Sequence, residues 1–133
     1  MNAPTRKTIL IVDNDPDVLS VVTARLRPMG FDCYTASSGA QALAVFNEME
    51  PDLIISDLNM PQGDGTVLAK NIRRHSDAPI ILISGFRGEF RKQLRAIPNV
   101  AFLHKPFETT ALLDLVEATF ALQTDDDVSQ QAA

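Results

Sequence analysis

Apolar residues in this chain fall into five short runs, separated by stretches in which they recur every three or four positions. The first run, Thr8-Ile9-Leu10-Ile11-Val12, is rich in β-branched residues and stops at Asp13-Asn14-Asp15-Pro16. That pattern predicts a strand buried on both faces and ended by polar residues. Asp15 followed by Pro16 is a helix start, an N-cap before proline at the first helical position, and Leu19, Val22 and Leu26 mark one apolar helical face. Pro28 and Gly30 close that helix. The alternation then repeats. Strands are predicted over residues 31–36, 53–56, 79–84 and 101–104. Helices are predicted over 38–49, with Leu43 and Phe46 inward, after the Met60 to Gly65 loop with Leu68 and Ile72 inward, along the stripe Phe86, Phe90, Leu94 and Ile97, and finally around Leu112, Leu115 and Val116. Strict strand–helix alternation implies an α/β fold, a doubly wound parallel sheet with right-handed crossovers and helices on both faces. Residues 1–6 and 123–133 are polar and aperiodic, so both read as disordered tails around one domain, 7–122.

At 133 residues one core suffices. The formal net charge of -5 argues against direct nucleic-acid binding, which needs a basic footprint. A single cysteine cannot form an internal disulfide, and no apolar run is long enough to span a bilayer or form a secretory core. A cytoplasmic protein without a membrane partner is therefore expected. Cys33, within a predicted strand, reads as a small buried hydrophobe, while His75 and His104 lack partners at metal-ligand spacing. Asp125-Asp126-Asp127 reads as a solvated tail.

In an open parallel sheet, ligands bind beyond the carboxyl ends of the strands, so the residues following each apolar run carry the chemistry. Those residues are Asp13 and Asn14, Asp57, Ser84 and Lys105. Two carboxylates, a carboxamide, a hydroxyl and an ammonium are thus expected at one edge. Carboxylate oxygens suit Mg²⁺, which takes few protein ligands and keeps sites for water and phosphate. With Lys105 as a second positive charge, such a site neutralises a phosphoryl group arriving at Asp57, which then acts as nucleophile and becomes an acyl phosphate.

Four segments, Ile11-Val12-Asp13-Asn14, residues 51–61 with Asp64-Gly65, Ile83-Ser84-Gly85, and residues 102–107, together resemble the receiver domain of two-component response regulators of the CheY-like kind. The resemblance covers residues 7 to 122. It implies a flavodoxin-like five-stranded domain whose Asp57 receives phosphate from a histidine kinase or histidine phosphotransfer protein. It further implies that Asp13 helps hold Mg²⁺, that the backbone carbonyl of Asn59 completes the protein ligands, and that Lys105 pairs with the phosphate. Ser84 and Phe102 match the switch positions, and Lys105-Pro106 matches a bond often cis in the family. Such a domain is a switch, not a turnover enzyme, and at most assists its own phosphorylation and dephosphorylation. Two departures stand out. Asn14 occupies a position usually acidic, so Mg²⁺ affinity should fall, and Asp15 is better placed to cap the helix. The segment Ala96-Ile97-Pro98-Asn99-Val100 lacks the usual Gly-Ala-Asp run.

Two other readings are open. A haloacid-dehalogenase-like phosphohydrolase would use Asp13 as nucleophile with Ser84 and Lys105 following, but it lacks the expected threonine and later acidic pair and leaves Asp57 without a role. An unphosphorylated receiver-like interaction module is favoured only by Asn14. A partner surface is expected on the helix after Ser84. Its buried stripe leaves Arg87, Arg91 and Arg95 in an i, i+4, i+8 row with Lys92 beside it, suited to an acidic patch on a downstream target, an effector domain or a phosphorylation-dependent second copy.

Overall fold

The computed structural model describes residues 6–60, 65–85 and 96–132. Strands β1 (Thr8–Val12), β2 (Asp32–Ala36), β3 (Leu53–Asp57), β4 (Ile80–Ser84) and β5 (Val100–His104) form one parallel sheet in the order β2-β1-β3-β4-β5. The described helices are α1 (Pro16–Leu26), α2 (Gly39–Met49), α3 (Gly65–His75) and α4 (Thr109–Ala132). Because the chain goes from β1 outward to β2 and then returns to β3 on the other side of β1, the winding reverses between β1 and β3. A crevice at their carboxyl ends follows.

Period-two alternation divides the sheet residues between two apolar layers. Leu10, Val12, Ile54 and Leu82 pack with Phe46 of α2 and Leu68 and Ile72 of α3. Ile9, Ile11, Ile55, Ile81 and Ile83 pack with Val22 and Leu26 of α1 and Leu112 and Val116 of α4. Covering both faces explains why β3 and β4 are buried throughout and read as unbroken apolar runs. At the edge, β2 exposes Asp32, Tyr34 and Thr35. Cys33 is half-buried there, and burial pushes its thiol above the usual range.

The punctuation residues act as their chemistry requires. Asp15 caps α1 by accepting the Asp17 N–H at 2.9 Å, with Pro16 in the first turn. A 3₁₀ turn, Arg27–Met29, then ends at Gly30, whose φ of 97° lies in the left-handed region. Ser38 caps α2 through the Gln41 N–H. Before β5, Asn99 takes a φ of 58°, a conformation that asparagine tolerates better than most residues. This is how the atypical 96–100 segment still turns into β5. The Asn99 carbonyl accepts from Arg73 Nη2 at 3.2 Å and from the Ile80 N–H at 3.1 Å. Arg73 Nη1 also donates to the carbonyls of Ser76 and Ala78, each at 2.8 Å, so one guanidinium ties α3 to the starts of β4 and β5.

Beyond one-residue shifts at the starts of β2, α2, β4 and β5, three boundaries differ from the sequence-based expectation. Arg6 belongs to the fold, donating to the Gly30 carbonyl at 3.1 Å and pairing with Asp32 at 3.3 Å. The last helix runs on to Ala132 instead of giving way to a tail at Gln123. No glycine or proline follows Leu122, and extending a nucleated helix costs little even where apolar periodicity has ended. Asp57 is itself the last residue of β3. The helix expected after Ser84, with its row of Arg87, Arg91, Lys92 and Arg95, lies outside the described residues; Ile97 at its expected end is described and is buried.

Candidate functional site

The strand register brings the predicted residues to one edge. Val12 pairs with Ser56, which sets Asp13 beside Asp57; Asp57 pairs with Ile83, just before Ser84; Ser84 pairs with His104, just before Lys105. Asp13, Asp57 and Ser84 are each only 4% exposed. Asn14 and Asn59 are exposed beside them.

Asp57 holds two partners. Its Oδ1 accepts the Asn59 N–H at 3.0 Å, and its Oδ2 lies 3.2 Å from Lys105 Nζ. The Lys105 side chain is two-fifths exposed, whereas that of Asp57 is almost wholly buried. Lys105 is carried there by the Lys105 N–H bond to the Ser84 carbonyl at 2.8 Å, and the Lys105-Pro106 bond that follows is cis, as the resemblance implies. Asp13 Oδ1 accepts the Asp15 N–H at 2.9 Å. Burial pushes the Asp13 carboxyl above its usual value; the Asp15 N–H opposes this, the Asp57 charge adds to it, and Lys105 offsets part. Asp15 spends its carboxylate on the helix cap, so it does not replace the charge missing at Asn14.

The donor set fits Mg²⁺. The buried Asp13 carboxylate is costly to ionise, with the Asp57 charge adding to that cost, and a hard divalent cation bound to its oxygens would remove it. Asp13 and Asp57 are placed to supply those oxygens, with Asn14 and Asn59 at the rim. Phe102, on β5 opposite Leu82, is half-buried against the layer shared with α2 and α3.

One feature went unread in the sequence, where Gly65 appears as part of a loop and of the matched segments but with no packing role. A Cβ on Gly65 would lie 2.7 Å from the Asp57 carbonyl oxygen and 2.9 Å from Leu58 Cα, and its N–H donates to the Leu58 carbonyl at 3.1 Å. Glycine therefore lets α3 start directly behind the Asp57 backbone. Loop composition predicts a turn here but not this close approach, which depends on the pairing of distant segments. A cleft of about 860 Å³ lies at the opposite edge of the sheet between the starts of β4 and β5 and α4, and shares no residue with the Asp57 site.

Comparison with known proteins fits this geometry. Residues 9–117 match the response regulator receiver domain. Over 110 residues the chain is 33% identical to the probable transcriptional regulator ycf27 of Guillardia theta, which covers 81% of this chain and 43% of that protein. It is 30% identical over 129 residues to the DNA-binding dual master transcriptional regulator RpaA of Synechocystis, covering 93% of this chain and 52% of that one. The chain thus spans about half the length of these curated relatives. The solved chemotaxis response regulator CheY4 of Vibrio cholerae superposes with a TM-score of 0.79 at 30% identity, over 86% of this chain and 99% of that structure. No helix among the described residues is long and apolar enough to cross a membrane. Since the matched span takes in every strand that shapes the Asp57 edge, the chain belongs to the receiver domains of two-component response regulators, a signalling family that works through phosphorylation of an aspartate.

Proposed function

We propose that Asp57 is the phosphoryl acceptor of this domain, supplied by a histidine kinase or a histidine phosphotransfer protein. The observation that carries the reading is the buried Asp57 carboxylate held between the Asn59 N–H and Lys105 Nζ at the switch in winding. An Asp57 oxygen attacks phosphorus, the phosphorus–nitrogen bond of the phosphohistidine breaks, and the imidazole leaves with a proton. Lys105 is within reach of the acceptor carboxylate and balances charge added there. Receivers of this family generally bind Mg²⁺. Asp13, Asp57, the Asn59 carbonyl and the Asn14 amide oxygen would hold it here, where it would neutralise charge on the transferred group. Ser84 and Phe102 then form the switch, the hydroxyl turning to the phosphoryl oxygen and the ring moving inward.

Receivers are signalling domains, not turnover enzymes. The output goes to a downstream protein or effector domain, or to a phosphorylation-dependent homodimer, in the cytoplasm. DNA binding is stated of RpaA; in a chain of net charge -5 it would belong to a separate segment. The hydrolase alternative loses support because the ammonium it would assign to Asp13 chemistry is paired with Asp57.

Incubation with acetyl phosphate and Mg²⁺, read by intact mass, is expected to add one phosphoryl group, and Asp57→Asn is expected to abolish it. Labelling of the mutant at the wild-type level, or a label mapped to Asp13, overturns the reading.

A further inference from the structure

Ser56, one residue before Asp57, is only 1% exposed. Its register partners are Val12 on β1 and Leu82 on β4, both buried and apolar. Burying a hydroxyl in such a layer is costly unless it is hydrogen-bonded, and Ser56 Oγ donates to the Asp57 carbonyl at 3.1 Å. That carbonyl needs a donor from outside the sheet ladder. In a parallel ladder successive residues turn their backbone groups to alternate neighbours. The Leu58 N–H bonds the Ile83 carbonyl of β4 at 2.8 Å, so Asp57 turns its own groups toward β1. The β1–β3 register ends at Val12 and Ser56, and the next residue, Asp13, sends its N–H to the Ala36 carbonyl of β2 at 3.1 Å. The Asp57 carbonyl thus lies past the last pair of its ladder. The start of α3 presses on it as well, since a Cβ on Gly65 would come within 2.7 Å of the carbonyl oxygen.

We propose that Ser56 is a positioning residue for phosphoryl transfer: its hydroxyl fixes the tilt of the Asp57 peptide, and through it the angle at which the Asp57 carboxylate meets phosphorus. The inference rests on phosphorylation at Asp57. The carboxylate itself is held by the Asn59 N–H at 3.0 Å and Lys105 Nζ at 3.2 Å, and Ser56 holds the backbone from which it branches. Without the hydroxyl the strand still forms. The acceptor then rests on its two side-chain partners alone and spends less time in line with the bond that breaks.

The test phosphorylates the intact chain with acetyl phosphate and Mg²⁺ at a temperature where melting curves show each variant folded. Ser56→Ala is expected to lose about tenfold in rate at saturating donor, with the half-saturating donor concentration unchanged, because the acceptor is misaligned and the donor site is intact. Ser56→Thr keeps the hydroxyl and is expected to stay within about twofold of wild type. The control is Thr23→Ala, which removes another buried hydroxyl that donates to main-chain carbonyls, those of Leu19 and Ser20 in α1. It is expected to lower the melting temperature and leave the rate at the wild-type level. A wild-type rate in folded Ser56→Ala overturns the proposal. So does a loss in Thr23→Ala equal to that in Ser56→Ala, which would trace both to stability. An equal loss in folded Ser56→Thr and Ser56→Ala overturns it too; where the threonine methyl prevents folding, the two alanine variants decide alone. Failure of wild type itself to take up the phosphoryl group removes the phosphoacceptor reading along with this one, an outcome distinct from a variant that matches a competent wild type.

Discussion

At the scale of single residues, the Asp57 edge combines burial with sparse charge. Asp13 has its carboxyl pushed up chiefly by burial, so the folded chain binds that proton more readily than the unfolded chain does. Ionised Asp13 therefore costs stability above its raised folded value, and the cost disappears as pH falls through that value and then through the ordinary 3.8. Without metal, Asp13→Asn is expected to melt higher than wild type at pH 7, with the gain shrinking on acidification and absent below 3.8. A gain that persists unchanged down to that pH in melting curves refutes the argument. Asn14 bears on the metal. One added carboxylate near a partly solvated ion contributes about 1 kcal/mol, so Asn14→Asp is expected to tighten Mg²⁺ by that amount. A titration showing unchanged or weaker binding would place Asn14 away from the ion. Asp13, Asp57, Ser84 and Lys105 were legible because a polar residue ending an apolar run announces its own place at the sheet edge. The buried Thr66 of α3, whose hydroxyl has no hydrogen-bond partner among the described residues, was not legible, because nothing in a helical pattern distinguishes a buried hydroxyl with a partner from one without.

At the scale of elements, local chemistry was readable where it is local. Asp15-Pro16, Ser38 and the Pro28–Gly30 closure all act within a few residues of their position in the chain. The start of α3 is different in kind, since its packing on β3 depends on tertiary approach. Gly65→Ala is expected to destabilise the domain by about 1–3 kcal/mol, the usual cost of overpacking, because the atoms a Cβ would strike are backbone and cannot swing aside. Denaturant unfolding measures this, and a loss under half a kilocalorie, roughly the scatter of surface substitutions, would mean α3 shifts freely. The extent of α4 escaped the sequence reading for the opposite reason. Apolar periodicity reports which residues meet a core, and a helix can outlast its contact with one. The same limit applies to Asn99, where a missing glycine pattern hid a left-handed turn that asparagine supplies.

At the scale of the whole molecule, fold class followed from alternation alone, whereas strand order did not, because hydrophobic runs carry no record of which neighbour each strand chooses. That order puts Asp57 on the middle strand, with β1 and β2 to one side and β4 and β5 to the other. The flanks are unlike. Asp13 comes from the β1 side, while Ser84 and Lys105 come from the β4–β5 side. Neighbouring strands are about 4.8 Å apart, so the β5 rim is roughly 10 Å from the acceptor strand. On the proposed reading one flank anchors the cation and the other yields to the new charge. The domain then behaves as a rectifier: news of the phosphoryl group leaves by the β5 rim, and a molecule gripping the exposed β2 rim can tether the protein without muffling the message.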